Sequence, residues 1–158
     1  MLTFGFILNA LAEYHDLSSD QVLTDAAIDS RRVIPGALFV ALKGESLDGH
    51  DFVSDAFQRG AMVALVERPP AEGMNVIRLD SPLEPESLDK LAFPVCLQVE
   101  NTLDALQTIA RKWRNTSMNL RVIGITGSVG KSTTKEMAAG VLDQRYRTIR
   151  NPGNYNNE

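Results

Sequence analysis

The chain has 158 residues, 44% hydrophobic and 23% charged, with a formal net charge of −4, enough apolar material for a folded core. That acidic balance, with Lys and Arg scattered, argues against a nucleic-acid surface, and no apolar run approaches the roughly 18 residues that cross a bilayer. A lone Cys96 cannot form an internal disulfide and Met1-Leu2-Thr3-Phe4 shows no export pattern, so a cytoplasmic location is expected.

Apolar periodicity predicts a first helix over 3–14, with Phe4, Ile7, Leu8 and Leu11 on one face. Strands are expected at 26–28 and 37–42, separated by the turn Pro35-Gly36. Asp48-Gly49 marks another turn. A helix over 50–59 follows, burying Phe52, Val53, Ala56 and Phe57 and ending at Gly60. Residues 62–66 and 76–79 read as strands around a loop containing Pro69-Pro70 and Gly73. The stretch 80–94, rich in proline and acid, carries no evident chemistry. A strand at 95–99 contains Cys96, which its apolar neighbours make a buried residue rather than a nucleophile. Asn101 or Thr102 then caps a helix with Leu103, Leu106, Ile109, Ala110 and Trp113 on its packing side. Arg111, Lys112 and Arg114 form its solvated face. The alternation of strand and helix is that of an α/β protein, with a domain boundary near residue 100 dividing 1–100 from 101–158.

The segment 122–134 holds the most informative pattern. A β-branched run (Val122, Ile123, Ile125), expected as a strand over 122–125, precedes Thr126-Gly127-Ser128-Val129-Gly130-Lys131-Ser132-Thr133, and a helix extends to about Leu142. Gly127 and Gly130 allow the backbone to curl so that N–H groups converge on phosphate oxygens. Lys131 can place its charge on the β/γ-phosphates, the Ser132 hydroxyl can ligate Mg2+, and the helix dipole points at the same anion. The standard phosphate loop has its first glycine where this chain has Ile125, so the match is to a variant spacing. A last strand is expected at 146–149. Two strands and two helices are few for a doubly wound nucleotide-binding sheet, so the chain is expected to be the N-terminal part of a longer enzyme.

Three blocks together resemble the Mur ligases, ATP-dependent enzymes that build the peptide stem of peptidoglycan. The first is Asp29-Ser30-Arg31-Arg32, then Pro35-Gly36-Ala37-Leu38-Phe39-Val40-Ala41-Leu42-Lys43-Gly44 and Asp48-Gly49-His50-Asp51-Phe52. The second is the glycine loop with Thr134-Lys135-Glu136-Met137, and the third is Gly153-Asn154-Tyr155-Asn156-Asn157-Glu158. The second and third are most similar to the D-alanyl-D-alanine-adding branch of the family.

The resemblance implies an N-terminal α/β domain for the UDP-sugar, followed by the start of an ATPase-type α/β domain. The implied reactants are ATP with Mg2+, UDP-N-acetylmuramoyl-tripeptide and D-alanyl-D-alanine, joined through an acyl phosphate. Residues 127–133 would cradle ATP, with Lys131 catalytic and Ser132 on the metal. Ser30, Arg31, Lys43, Gly44, Asp48, Gly49, His50, Asn154 and Asn157 would contact substrate. Taken singly, each has a plainer reading: Asp48-Gly49 as a turn, Arg31 and Lys43 as surface charges, His50 as a helix cap, and the asparagines as a polar tail. The family's further magnesium carboxylate and C-terminal domain have no counterpart in these residues, so the chain alone is expected not to ligate. Open alternatives are another Mur-type amino-acid or polyglutamate ligase, a non-catalytic UDP-sugar or nucleotide-binding module, and a generic phosphate-loop regulator.

Overall fold

The computed structural model describes residues 1–12, 14, 21–70, 73–81, 88 and 91–151. They belong to two compact units, Met1–Met118 and Asn119–Glu158.

The first unit is built on a parallel sheet of β1 (Ala26–Ala27), β2 (Leu38–Val40), β3 (Val63–Val66), β4 (Asn75–Arg78) and β5 (Val95–Gln98), in the spatial order β1-β2-β3-β5-β4. Leu38 lies opposite both Ala26 and Val63, and Val63 opposite Val95. The central strands are short continuous apolar runs because both of their faces are covered, as a parallel sheet requires. Leu38, Val40, Val63, Leu65, Val95 and Leu97 point to one side. There they pack with Phe4, Ile7 and Leu8 of α1 (Phe4–Ala12) and with Ala105 and Ile109 of α3 (Thr102–Asn115). Phe39, Ala64, Val66 and Cys96 point to the other side, against Val53 and Ala56 of α2 (Val53–Gln58). The result is a three-layer α/β unit. Cys96 is fully buried, and burial pushes its thiol up to about 12, so it is an inert core residue.

The segment expected as one helix over 50–59 is two pieces, a 3-10 turn Gly49–Phe52 followed by α2. The Asp48 carboxylate accepts from the His50 backbone N–H at 3.0 Å, and the Gly49 N–H donates to the Leu42 carbonyl at 2.8 Å. These two bonds tighten the entry and leave Phe52 37% exposed instead of packed.

The helix expected to open a second unit after residue 100 is part of the first. The Trp113 ring meets Phe6 edge-on at 5.4 Å, Lys112 Nζ donates to the Asn9 carbonyl at 3.2 Å, and the Thr102 hydroxyl reaches the Ala41 carbonyl at 2.9 Å. The compact unit therefore runs 18 residues further, to Met118, because the face of α3 that buries Ala105 and Ile109 has its partner in the first sheet.

The second unit contains α4 (Lys131–Leu142). The strands expected at 122–125 and 146–149 are absent among the described residues. A strand exists only through ladder bonds to a neighbour, and neither segment has one there. Val122 and Ile123 are accordingly 65% and 62% exposed, and Ile149 is 91% exposed. Among the described residues no helix is long and apolar enough to cross a membrane.

Candidate functional site

The glycine loop of the second unit keeps the shape that its residues suggest. Gly130 is the N-cap of α4 with φ 81° and ψ 1°, a left-handed conformation that a side chain resists. Gly127 is likewise at positive φ. The Thr134 N–H donates to the Gly130 carbonyl at 2.9 Å, so the helix begins directly behind the loop. The N–H groups of its first turn, with no carbonyl ahead of them in the helix, face the loop mouth.

Lys131 folds back over the loop, and its ammonium donates to the Gly127 carbonyl at 2.6 Å. A cleft of 520 Å³ opens here, lined by Ile123, Ser128, Val129, Lys131, Ser132 and Lys135 among others. The loop is exposed throughout. No protein carboxylate neutralises Lys131 among the described residues; its bond is to a neutral carbonyl, which an anion outcompetes.

Lys135, four residues on and on the same helix face, also lines the cleft and donates to the Asn151 carbonyl at 2.9 Å. Its neighbour Glu136 is held by Arg150 at 2.9 Å. Lys135 and Asn151 were not among the expected site residues. The four-residue spacing from Lys131 was the available signal for the first; nothing local marked the second. Asn154 and Asn157 lie outside the described residues.

The expected substrate residues of the first unit follow the carboxyl ends of β1 and β2, where ligands of parallel sheets are bound. Ser30 and Arg31 sit in a 3-10 turn capped by Asp29. Arg31 is engaged bidentately by that carboxylate, Nε at 2.9 Å and Nη2 at 2.8 Å, and this pairing holds the Asp29 carboxyl at about 2. Ser30 is buried, and its hydroxyl bonds the Asp55 carboxylate, lowering the pKa of that group ahead of the effect of Arg59.

Residues 43–50 close on themselves. Lys43 and Asp48 form an antiparallel bridge, and the Gly44 N–H donates to the Leu47 carbonyl at 2.9 Å. Gly49 rests on β2's exit so closely that a Cβ would lie 2.7 Å from both N and O of Leu42. Lys43 is exposed, without an ion pair or side-chain hydrogen bond among the described residues. No hydrogen bond or ion pair there joins Ser30 or Arg31 to this rim.

His50 is embedded, its side chain 6% exposed, with Nδ1 2.6 Å from Asp48 Oδ1 and Nε2 accepting the Glu67 N–H at 2.8 Å. Asp48 also pairs with Arg68 at 3.2 Å, and its carboxyl is lowered chiefly by the backbone and side-chain hydrogen bonds from His50. Glu67 accepts the Thr102 backbone N–H at 2.9 Å and lies 3.0 Å from the Thr102 hydroxyl. Glu67, Arg68 and Thr102 were missed in the sequence. The signal was a charged pair placed immediately after a wholly apolar strand.

A family profile described as "Mur ligase family, catalytic domain" matches residues 24–114, more than half of the chain. The chain belongs to the Mur ligase family. The matched span holds the strand-end rim and stops before the glycine loop, so the loop stands on its own geometry and on whole-chain likeness.

One such relative is the UDP-N-acetylmuramoyl-tripeptide–D-alanyl-D-alanine ligase of Synechocystis sp., 38% identical over 153 residues, covering 97% of this chain and 30% of that protein. Among solved Mur ligase structures, MurF from Acinetobacter baumannii matches with TM-score 0.72 and 32% identity, covering 96% of this chain and 30% of that one. MurF from Thermotoga maritima, in complex with ADP, matches with TM-score 0.65 and 30% identity, over 85% of this chain and 27% of that one. The chain thus spans about 30% of the length of the Mur ligases it matches.

Proposed function

We propose that this protein serves an ATP-dependent ligase reaction that adds D-alanyl-D-alanine to UDP-N-acetylmuramoyl-tripeptide, in the cytoplasm, during peptidoglycan synthesis. The observation that carries the reading is the open glycine loop with Lys131 laid across it at 2.6 Å from the Gly127 carbonyl, in a chain similar over 97% of its length to a ligase of that name. ATP would convert the tripeptide's terminal carboxylate to an acyl phosphate, which supplies a leaving group and removes the anion that repels a nucleophile. The amine of the dipeptide then attacks the acyl carbon, and the amide forms as the acyl–oxygen bond breaks and inorganic phosphate and a proton leave.

In this reading the residues of 127–133 hold the triphosphate. Backbone N–H groups take the phosphate oxygens, and Lys131 exchanges the Gly127 carbonyl for the β/γ-phosphates. Ser132 supplies a hydroxyl for Mg2+. The donor set suits that ion, a hard oxygen-seeking cation usually bound by few protein groups plus phosphates. An added Cβ at Gly130 would meet nothing within 4 Å, so the loop is open to solvent at this residue.

The first unit holds the UDP-sugar at the carboxyl ends of β1 and β2, and the ATP-binding domain begins in the second. Lys43 and the backbone of Gly44 and Gly49 are the groups best able to meet it. Arg31 and Asp48 act there through the pairs they already form.

Calorimetric titration of the purified chain with Mg·ATP and with UDP-N-acetylmuramoyl-tripeptide tests the reading. Binding of both is expected, with Lys131→Met abolishing only the first. Sugar binding with no ATP binding at all would replace it with a non-catalytic module. Turnover by a polypeptide of the relatives' length, with D-alanyl-D-alanine against single amino acids, separates this ligase from other Mur-type ligases.

A further inference from the structure

The half-buried polar cluster between the rim 43–50 and the exit of β3 has a direction built into it. A backbone N–H can only donate, so the 2.8 Å contact from Glu67 N requires His50 Nε2 to be the bare, accepting nitrogen. The ring proton is then on Nδ1, where it meets Asp48 Oδ1 at 2.6 Å. The same Asp48 oxygen caps the His50 backbone N–H at 3.0 Å, and the other oxygen takes Arg68. Beyond the ring, Glu67 receives the Thr102 N–H and stands against its hydroxyl, while the Gln98 amide donates to the Glu67 carbonyl at 3.3 Å. The imidazole therefore joins the loop after β2 to the end of β3, and Glu67 carries the connection on to β5 and to the start of α3. No buried side-chain nitrogen or oxygen among the described residues lacks a partner, so this ring has no capacity left for a ligand.

We propose that His50 is a positioning residue rather than a substrate contact: locked as the neutral Nδ1–H tautomer between Asp48 and Glu67, it gives the rim 43–50 its ligand-ready shape before any ligand arrives. This rests on the reading of that rim as part of the UDP-sugar site. Lys43 and the backbone of Gly44 and Gly49 then meet the ligand, and His50 acts through them.

The tautomer is read directly from long-range proton–nitrogen correlation spectra of the chain labelled with 15N-histidine. The chain has two histidines, and loss of one signal set in H50Q identifies His50. A pyrrole-type Nδ1 and a pyridine-type Nε2 are expected, unchanged when uridine diphosphate is added. A protonated Nε2, free or with uridine diphosphate, overturns the proposal.

Two variants separate the two bonds. In H50N the shorter amide keeps a donor near Asp48 but cannot reach Glu67, so the Glu67 amide should exchange with solvent at least about tenfold faster. H50Q places an acceptor near the old Nε2 position and should restore protection. Uridine diphosphate should bind H50N about tenfold more weakly than the parent, with H50Q closer to the parent. Equal affinity in parent and H50N overturns the positioning role. Failure of the parent itself to bind uridine diphosphate sinks the UDP-sugar reading instead, and the ring spectra then decide on His50 alone.

Discussion

The strand-end turns of the first unit and the glycine loop of the second both carry cations, yet most of these are held in different ways. In the first unit, Arg31 is pinned by Asp29 and Arg68 by Asp48 and Asp51, while Lys43 has no ion pair among the described residues. In the loop, the Lys131 ammonium bonds, among the described residues, only a backbone carbonyl of its own turn. A charge paired with a carboxylate is already satisfied and fixes shape. A charge resting on a neutral carbonyl is available to an incoming anion. The first arrangement is suited to presenting a surface, the second to capturing phosphate.

The largest effect that sharpens this contrast is in the packed unit. Leu65 is fully buried in the central strand β3, and Leu65→Ala should cost about 2–5 kcal/mol in a denaturant melt of the first unit. Met137→Ala in α4, at a site 68% exposed, should change stability by less than about 0.5 kcal/mol.

Next comes Gly49→Ala. Its Cβ would be driven to 2.7 Å from backbone atoms of Leu42, which cannot swing aside as a side chain can, so a loss of about 1–3 kcal/mol is expected. The matching change in the second unit, Gly124→Ala, meets nothing within 4 Å and should be near neutral. Similar losses at the two glycines would erase the distinction between a wedged rim and an open loop.

Thr102→Val removes the single hydroxyl proton that the Ala41 carbonyl and the Glu67 carboxylate share in a buried place, and should cost about 1–3 kcal/mol. Gly130→Ala forces a side chain into φ 81°, a strain of about 1–2 kcal/mol, and should weaken Mg·ATP binding more than it lowers the melting temperature.

The smallest effect concerns Asp29. Its carboxyl is lowered from 3.8 to about 2 by the Arg31 side chain and backbone, so the pairing contributes above the ordinary carboxylate pKa and is lost as pH falls toward 2. Both partners are at the surface, and the effect on melting is small. Carboxyl titration by NMR should find Asp29 raised toward the usual range in Arg31→Met, with the backbone bond from residue 31 retained. An unmoved Asp29 there would show that the cap, not the guanidinium, sets it.

The helices and strands of the first unit were largely legible because their signals are local. Apolar runs such as 63–66, the Pro35-Gly36 turn and the Asn101 cap each specify a conformation within a few residues, and every expected strand there appears within two residues of its place. The segments 122–125 and 146–149 carry the same β-branched signal, yet a strand also needs a neighbour, which propensity does not supply. The attachment of α3 to the first unit was equally hidden, since its amphipathic face shows that a partner exists without saying which sheet provides it.

At the candidate site, the chain's own order of residues determined the loop of the second unit: glycines at 127 and 130, then Lys131 and Ser132, suffice to make a turn with a cation beside a helix start. Those contacts span four residues, and local sterics decide them. The fate of the rim was settled only in three dimensions. His50 meets Glu67 across 17 residues and Thr102 meets Glu67 across 35, distances over which periodicity says nothing. Parallel strands bring their carboxyl ends to one edge, and that convergence encloses the His50 side chain between Asp48 and Glu67.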